Sequence, residues 1–234
     1  MPRKPRMYLP DVPSHVIQRG NNRDVCFYAD PDYQFYLACL KDAASRYKVA
    51  VHAYVLMTNH THLLMTPEDE QGISCVMQSL GRRYVQYINK TYRRTGTLWG
   101  SRHKASVVDA EDYLLHCYRY IELNPVRAGM VEHPGDYRWS SYRYHAYGEQ
   151  NDLIQDHLLY HHIAADNDTR RACYRELFSA GLDRQLLHEI RTAAIFSMPL
   201  GNDRFKLQIE RALDKSIGYA RRGRSQKAEE EIVN

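Results

Sequence analysis

The alternation of hydrophobic and polar positions predicts four β-strands in the first part of the chain. Each run is rich in β-branched or aromatic residues, and turn-forming residues lie between the runs. Gly20-Asn21-Asn22 follows the first strand, and Thr58-Asn59 separates the second from the third as the turn of a hairpin. The predicted strands are residues 14–19, 49–57, 60–66 and 103–108.

Apolar positions spaced three or four residues apart predict three helices, two among these strands and one after them. The predicted helices are residues 30–47, 72–93 and 109–123. The first begins with Asp30 as its cap and Pro31 at the first helical position. The third ends near Leu123, because Pro125 disfavours helical geometry at Asn124.

The order β-α-β-β-α-β predicts an α+β fold of the ferredoxin-like, RRM-like split β-α-β type, with an antiparallel sheet and helices on one face. This domain is predicted to cover residues 1–148. Residues 149–221 are more polar and are interrupted by glycine and proline, which predicts a helical C-terminal extension. Residues 222–234 are basic and then acidic, and are predicted to form a flexible tail.

The composition is that of an ordinary globular protein, with 26% charged and 44% hydrophobic residues among 234. No segment approaches the roughly 18 apolar residues of a membrane span, and the N-terminus lacks the apolar run of a secretory signal. We therefore predict no membrane association and a cytoplasmic location. The five cysteines are scattered and never form a C-x-x-C pair, which argues against a disulfide framework or a structural zinc site.

The net charge of +4 is modest, but the basic residues are clustered and nineteen tyrosines accompany them. A surface that follows phosphates and stacks on bases needs both residue types, so the pattern predicts a nucleic-acid partner. The alternative is that each cluster is a solvated face. The candidate phosphate contacts are Arg19, Arg23, Arg82, Arg83, Arg102 and Lys104, and Trp99 is the candidate for stacking on a base.

His60 and His62 lie two residues apart in the third predicted strand. Residues at that spacing face the same side of a strand with roughly 6.6 Å of rise between them, so their imidazoles can share a metal ion. The pattern also arises by chance in a chain with twelve histidines. The alternative is a pair of ordinary polar residues, which is the interpretation of His161 and His162.

The third helix places Tyr120 and Asn124 one turn apart on one face, at about 100° per residue. Leu114, Tyr118 and Ile121 form the neighbouring apolar face, so Tyr118 is predicted to pack in the core and is only the alternative nucleophile. The structural alternative for Tyr120 is an aromatic at the core or its rim, with Asn124 as a helix-terminal residue.

A tyrosine, two histidines and an amide together suit phosphodiester chemistry. Because tyrosine is protonated near pH 7, forming its phenolate costs about 4 kcal/mol unless the transition state supplies compensating charge. A divalent metal held by His60, His62 and the amide oxygen of Asn124 would polarise the scissile phosphate. Mn²⁺ suits such ligands, whereas Mg²⁺ prefers oxygen ligands but is abundant in cells.

Five segments carry a family pattern over most of residues 8–148. They are residues 14–23 (SHVIQRGNNR), 54–64 (YVLMTNHTHLL), 96–102 (GTLWGSR), 118–130 (YRYIELNPVRAGM) and 138–142 (RWSSY). Together they resemble the IS200-like, single-tyrosine HUH transposases, and within them the REP-associated tyrosine transposases.

The resemblance implies a role for each of the candidate residues. His60 and His62 would be the HUH metal ligands, Tyr120 the nucleophile and Asn124 the third ligand. The family implies cleavage of single-stranded DNA beside a folded hairpin, which leaves a 5′-phosphotyrosine and a free 3′ hydroxyl that can be rejoined. Thr61 stands where the family usually has a bulky apolar residue, but it is β-branched and suits a strand.

The C-terminal part resembles the REP-associated group at residues 200–210 and 222–227. Arg222 and Arg224 are candidate contacts to a minor groove or to phosphates, and a disordered solubilising tail is the alternative. Ser225 stands where the family often has proline. Because mobile relatives tend to be shorter, the added segment favours a domesticated, single-copy enzyme that acts on dispersed palindromic repeats. We expect such an enzyme to be nucleoid-associated and to be a monomer or a homodimer.

Three other hypotheses stay open. A self-mobilising insertion-sequence transposase would use the same chemistry. A non-catalytic ferredoxin-like nucleic-acid-binding protein would bind hairpins whether or not a metal or Tyr120 is present. A metallohydrolase would use His60 and His62 with water as the nucleophile and would leave no covalent adduct.

Overall fold

The computed structural model describes residues 7–214, and its first half forms the predicted α+β arrangement. The strands are β1 (Ser14–Arg19), β2 (Val49–Met57), β3 (His60–Pro67) and β4 (Lys104–Val107), and the helices among and after them are α1 (Asp30–Arg46), α2 (Gly72–Thr91) and α3 (Ala110–Glu122). The sheet has the order β2-β3-β1-β4 and is antiparallel throughout. This is the ferredoxin-like topology, so the predicted fold class is confirmed.

The two faces of the sheet differ because neighbouring residues of a strand point to opposite sides. Thr61 lies on the face covered by α1 and α2, where its hydroxyl is 3.4 Å from that of the buried Tyr36. His60 and His62 therefore lie on the other face, against which α3 packs. The prediction of helices on one face concerned the two helices of the β-α-β-β-α-β unit, and it holds for α1 and α2. Helix α3 follows β4 and buries its apolar stripe against the second face.

The chain keeps helical geometry beyond α3. Leu123 adopts φ −84° and ψ −1°, and a short helix α4 (Asn124–Arg127) follows directly. The prediction that Pro125 disfavours helical geometry at Asn124 is therefore wrong. Pro125 lies in the first turn of α4, where the N–H group that proline lacks needs no partner.

The C-terminal part of the described chain is helical, as predicted. Its helices are α5 (Tyr142–Tyr147), α6 (Leu158–His161), α7 (Asn167–Glu176), α8 (Arg184–Phe196) and α9 (Asp203–Leu213). Gly181 and Pro199 lie between helices, as expected for residues that interrupt helical segments. Within residues 7–214, no helix is both long and apolar enough to cross a membrane.

The part of the chain after residue 149 joins the same sheet through α8 and Leu200. Helix α8 contacts β4 and β1, and the Leu200 amide donates to the Val107 carbonyl at 2.8 Å. The division at residue 148 stays a prediction. Arg222 and Arg224 lie outside the described residues, and so does the predicted tail.

A buried polar network anchors the C-terminal end of α3. Glu122 Oε1 accepts hydrogen bonds from Ser141 at 2.5 Å and from His145 Nδ1 at 2.8 Å, and Oε2 accepts one from the Tyr174 hydroxyl at 2.7 Å. All four side chains are fully buried. The network joins α3 to α5 and α7, two residues from Tyr120.

Replacing Glu122 by alanine is expected to lower the free energy of unfolding by about 3–5 kcal/mol, because three buried groups lose their shared acceptor. Urea denaturation measures the change. The control is Glu111→Ala in the exposed first turn of the same helix, which should cost no more than about 1 kcal/mol. A similarly small loss in Glu122→Ala would contradict the anchoring role.

Candidate active site

A cleft of about 620 Å³ opens on the face of the sheet that α3 covers. His60 and His62 of β3 line it, together with Tyr120 of α3 and Asn124 of α4. The four residues predicted to carry the chemistry thus meet in one cavity, although 58 or more positions separate the two halves of the group in sequence.

Both histidines have a hydrogen-bond partner at Nδ1. His60 Nδ1 is 2.6 Å from Asn59 Oδ1, and His62 Nδ1 is 2.8 Å from His15 Nε2. When each imidazole donates its Nδ1 proton, its Nε2 lone pair is left for a cation, and the ring orientation is fixed. The two rings lie 5.1 Å apart between centroids.

Burial keeps these imidazoles uncharged. It lowers the pKa of His60 to about 4, with a further contribution from the positive charges of Arg19 and Arg127. It also lowers the pKa of His62 well below its ordinary value, and that of His15 to about 3. All three are therefore neutral near pH 7, which is the form that binds metals or accepts a hydrogen bond.

Tyr120 is nearly buried but faces the cleft. Its ring packs edge-on against His62 and His15, each with a centroid separation of 5.7 Å. Arg127 holds it from the other direction: the guanidinium carbon is 4.3 Å from the ring centroid, and Nη1 donates to the Tyr120 carbonyl at 2.9 Å. The nucleophile candidate is therefore fixed in orientation by its neighbours.

The other tyrosines of α3 lie elsewhere. Tyr118 is fully buried in the core, as its helical phase predicted. The Tyr113 hydroxyl donates to Glu189 Oε2 at 3.1 Å, outside the cleft lining. Among the tyrosines of α3, Tyr120 is the one that lines the cleft.

The position of Asn124 is compatible with both of its predicted roles. Its Nδ2 donates to the Tyr120 carbonyl at 3.0 Å and to the Ile121 carbonyl at 3.2 Å, so the amide nitrogen caps the end of α3. The amide oxygen is then the atom available to a cation in the cleft. The helix-terminal interpretation and the ligand interpretation are compatible, because they use different atoms of one side chain.

The donor set fits a divalent ion with mixed nitrogen and oxygen preference. Across residues 7–214, no three or more histidine, cysteine, aspartate or glutamate side chains gather as a metal-binding group. An ion in this cleft would therefore depend on the two neutral imidazoles and the Asn124 amide. Three protein ligands leave coordination positions for water and phosphate oxygen.

The cleft is strongly cationic. Its six basic side chains are Arg19, Arg23, Arg102, Lys104, Arg127 and Arg191, and its lining contains no carboxylate from the described part of the chain. Four of them were candidate contacts from the sequence, whereas Arg127 and Arg191 were missed. Arg127 lies three residues beyond Asn124 and could have been found, but Arg191 reaches the cleft only through the packing of α8.

Three candidate DNA contacts do not lie at this site. Trp99 is 8% exposed and packs against Tyr84 and Tyr36 on the opposite face of the sheet, so its ring cannot stack on a base in this conformation. Arg82 and Arg83 extend from α2 on that same face, and Arg83 pairs with Asp42 at 3.0 Å. Trp99, Arg82 and Arg83 therefore lie on the other side of the sheet from the cleft.

Comparison with known proteins gives the class. Residues 9–124 match the family model described as "Transposase IS200 like". A structure of a REP-associated tyrosine transposase bound to a REP hairpin is 18% identical, with a TM-score of 0.54, and the match covers 68% of this chain and 93% of that one. A proposed transposase of Deinococcus radiodurans is 22% identical, with a TM-score of 0.37, over 51% and 95% of the two chains. No match was found among curated proteins.

The chain belongs to the IS200-like transposase family, as the sequence resemblance predicted. Membership implies an enzyme that processes DNA. The structural likeness to the REP-associated transposase, at 18% identity, confirms the fold.

Proposed function

We propose that this protein is a metal-dependent single-stranded DNA endonuclease and strand transferase of the REP-associated group, which acts at hairpin-forming palindromes through a 5′-phosphotyrosine on Tyr120. The observation that carries the proposal is the meeting of Tyr120 with His60, His62 and Asn124 in a cation-lined cleft. The structural relative bound to a REP hairpin supports hairpin DNA as the substrate.

In the proposed cleavage step, Tyr120 Oη attacks the scissile phosphorus as the bond from phosphorus to the 3′ oxygen breaks. The phenolic proton passes to water, and the departing 3′ oxygen takes up a proton to become a hydroxyl. The number of phosphoester bonds is unchanged, so the 3′ hydroxyl can reverse the step and rejoin a strand. His60, His62 and Asn124 would hold a divalent ion, which would polarise the phosphate and supply positive charge for the leaving oxygen.

Arg127 serves both directions of this reaction. Its guanidinium lies over the Tyr120 ring, 4.3 Å from the centroid. A positive charge at that distance stabilises a phenolate more than a phenol, and partial burial strengthens the interaction. The same contact favours the attacking phenolate in cleavage and the departing phenolate in rejoining.

His15 would act on the metal through His62. When His15 Nε2 accepts a hydrogen bond from His62 Nδ1, it holds the ligand in the tautomer that presents Nε2 to the cleft. Replacing His15 by phenylalanine, which keeps the ring volume, is expected to raise the Kd for Mn²⁺ by about 10- to 100-fold. Isothermal titration calorimetry measures that Kd without DNA.

The control for His15→Phe is His52→Phe. His52 is also a buried histidine of the sheet, but it bonds to Gln155 and Thr66 and does not line the cleft. Its substitution should leave the Kd for Mn²⁺ within about twofold. An unchanged Kd in folded His15→Phe protein would remove the proposed role of His15.

The proposed function is tested by incubating the full chain with labelled single-stranded oligonucleotides that carry hairpin-forming palindromes, with Mn²⁺, Mg²⁺ or EDTA. A metal-dependent covalent adduct on a denaturing gel, with an equal amount of DNA ending in a 3′ hydroxyl, is the expected result. Cleavage without an adduct would favour the metallohydrolase. Tight binding without cleavage would favour the non-catalytic binding protein.

A further inference from the structure

One wall of the cleft comes from outside the matched family region. Helix α8 lies well beyond residue 124, yet Arg191, Ala194 and Ile195 line the same cavity as Tyr120. These positions are three and four residues apart and so share one helix face. The neighbouring positions Ile190 and Ala193 are buried, which directs the lining residues towards the cleft.

Helix α8 is held firmly in this position. Glu189 accepts a hydrogen bond from Tyr113 of α3, the helix that carries Tyr120, at 3.1 Å. At the other end, Lys104 Nζ of β4 donates to the Ile195 carbonyl at 3.0 Å. Asp183 caps the helix by accepting from the amides of Gln185 and Leu186. The wall is therefore fixed relative to the nucleophile.

Two exposed side chains of α8 line the cleft, the cationic Arg191 and the apolar Ile195. Arg191 is exposed and forms no ion pair with a carboxylate of residues 7–214. Arg127 lines the same cavity, so the two positive charges repel each other. Ile195 is 55% exposed, one turn along the same face. A phosphate between the two guanidinium groups would relieve their repulsion, and an attached base would cover Ile195.

We propose that α8 forms a subsite for a single-stranded nucleotide next to the cleaved bond, with Arg191 contacting its phosphate and Ile195 packing against its base. The inference rests on the proposed function, because the cleft must bind a DNA strand. In this arrangement the C-terminal part of the chain contacts the single strand beside the hairpin and determines which flanking sequences are bound with high affinity.

The test measures binding in a Tyr120→Phe background, so that cleavage does not interfere. Hairpin oligonucleotides carry one neutral methylphosphonate at each flanking linkage in turn, and fluorescence anisotropy gives each Kd. Arg191→Gln is expected to weaken binding of unmodified DNA about tenfold and to lower the salt slope by about 0.7. At one linkage, the methylphosphonate should weaken DNA binding by the protein that retains Arg191 about tenfold. The same substitution should hardly change DNA binding by Arg191→Gln.

Arg204→Gln on α9 is the matched control, since it removes the same charge from the C-terminal part at an exposed residue that does not line the cleft. It should show the full methylphosphonate effect at that linkage. Ile195→Ala should bind about fivefold more weakly, and an abasic site at the adjoining nucleotide should erase that difference.

Two results would overturn the subsite. One is an Arg191→Gln protein whose affinity and salt slope are unchanged. The other is a loss spread evenly over all linkages, which a general electrostatic field would produce. The adduct assay with wild-type protein distinguishes failure of the subsite from failure of the proposed function. If adducts form and either result is found, only the subsite is contradicted. If neither hairpin binding nor adducts are found, the proposed function is contradicted as well.

Discussion

Replacing Tyr120 by phenylalanine is expected to lower covalent adduct formation with hairpin DNA at least about a thousandfold, because no other tyrosine of α3 lines the cleft. The ring remains, so its contacts with His62, His15 and Arg127 are kept. Hairpin affinity should therefore change by no more than about twofold. A denaturing gel reports the adduct, and fluorescence anisotropy reports the binding.

Matched controls remove a hydroxyl from the same helix. Tyr113→Phe loses only its bond to Glu189, and Tyr118→Phe changes a ring that is buried in the core. Both should form adducts at near wild-type rates. Adducts that persist in Tyr120→Phe and disappear in one of the controls would transfer the nucleophile to that residue.

Replacing His60 or His62 by alanine is expected to weaken Mn²⁺ binding by at least about a hundredfold, because loss of an outer-shell partner alone costs about 10- to 100-fold. Adduct formation at micromolar Mn²⁺ should then fall in proportion and recover in part as the ion concentration is raised. Calorimetry gives the affinity, and the gel assay gives the rate.

The matched control for the metal ligands is the double variant His161→Ala and His162→Ala. These neighbouring histidines are exposed and lie away from the cleft, as the sequence predicted. Mn²⁺ affinity should be unchanged in this variant. If His60→Ala and His62→Ala both bound Mn²⁺ with wild-type affinity, the metal would have to be held elsewhere.

Local patterns were sufficient to predict the fold and each of the two halves of the candidate site. Alternation in the strands predicted that His60 and His62 share a face, and helical phase predicted that Tyr120 and Asn124 share one. Both predictions hold, because period and phase are properties of single elements. That the two faces meet follows from α3 crossing the second face of the sheet, which the family resemblance implied and the pattern alone did not.

Contacts that depend on register or packing were not predictable in this way. His15 reaches His62 because β1 pairs with β3 in the register Ile17 to His62, and the sequence does not specify that register. Arg191 enters the cleft only because α8 docks on β4. The orientation of Trp99 could not be predicted, because the sequence of a glycine-rich loop does not specify which way its side chains point. The indole packs against Tyr84.

The central claim is that Tyr120 becomes joined to the 5′ phosphate of the cleaved strand. Trypsin tests it directly, because cleavage after Arg119 and Arg127 isolates Tyr120 in the peptide of residues 120–127, while Tyr113 and Tyr118 fall in the peptide of residues 105–119. After nuclease trimming of the adduct, mass spectrometry should find a nucleotide 5′-phosphate on the peptide of residues 120–127. The same mass on the peptide of residues 105–119, or on neither, would contradict the account.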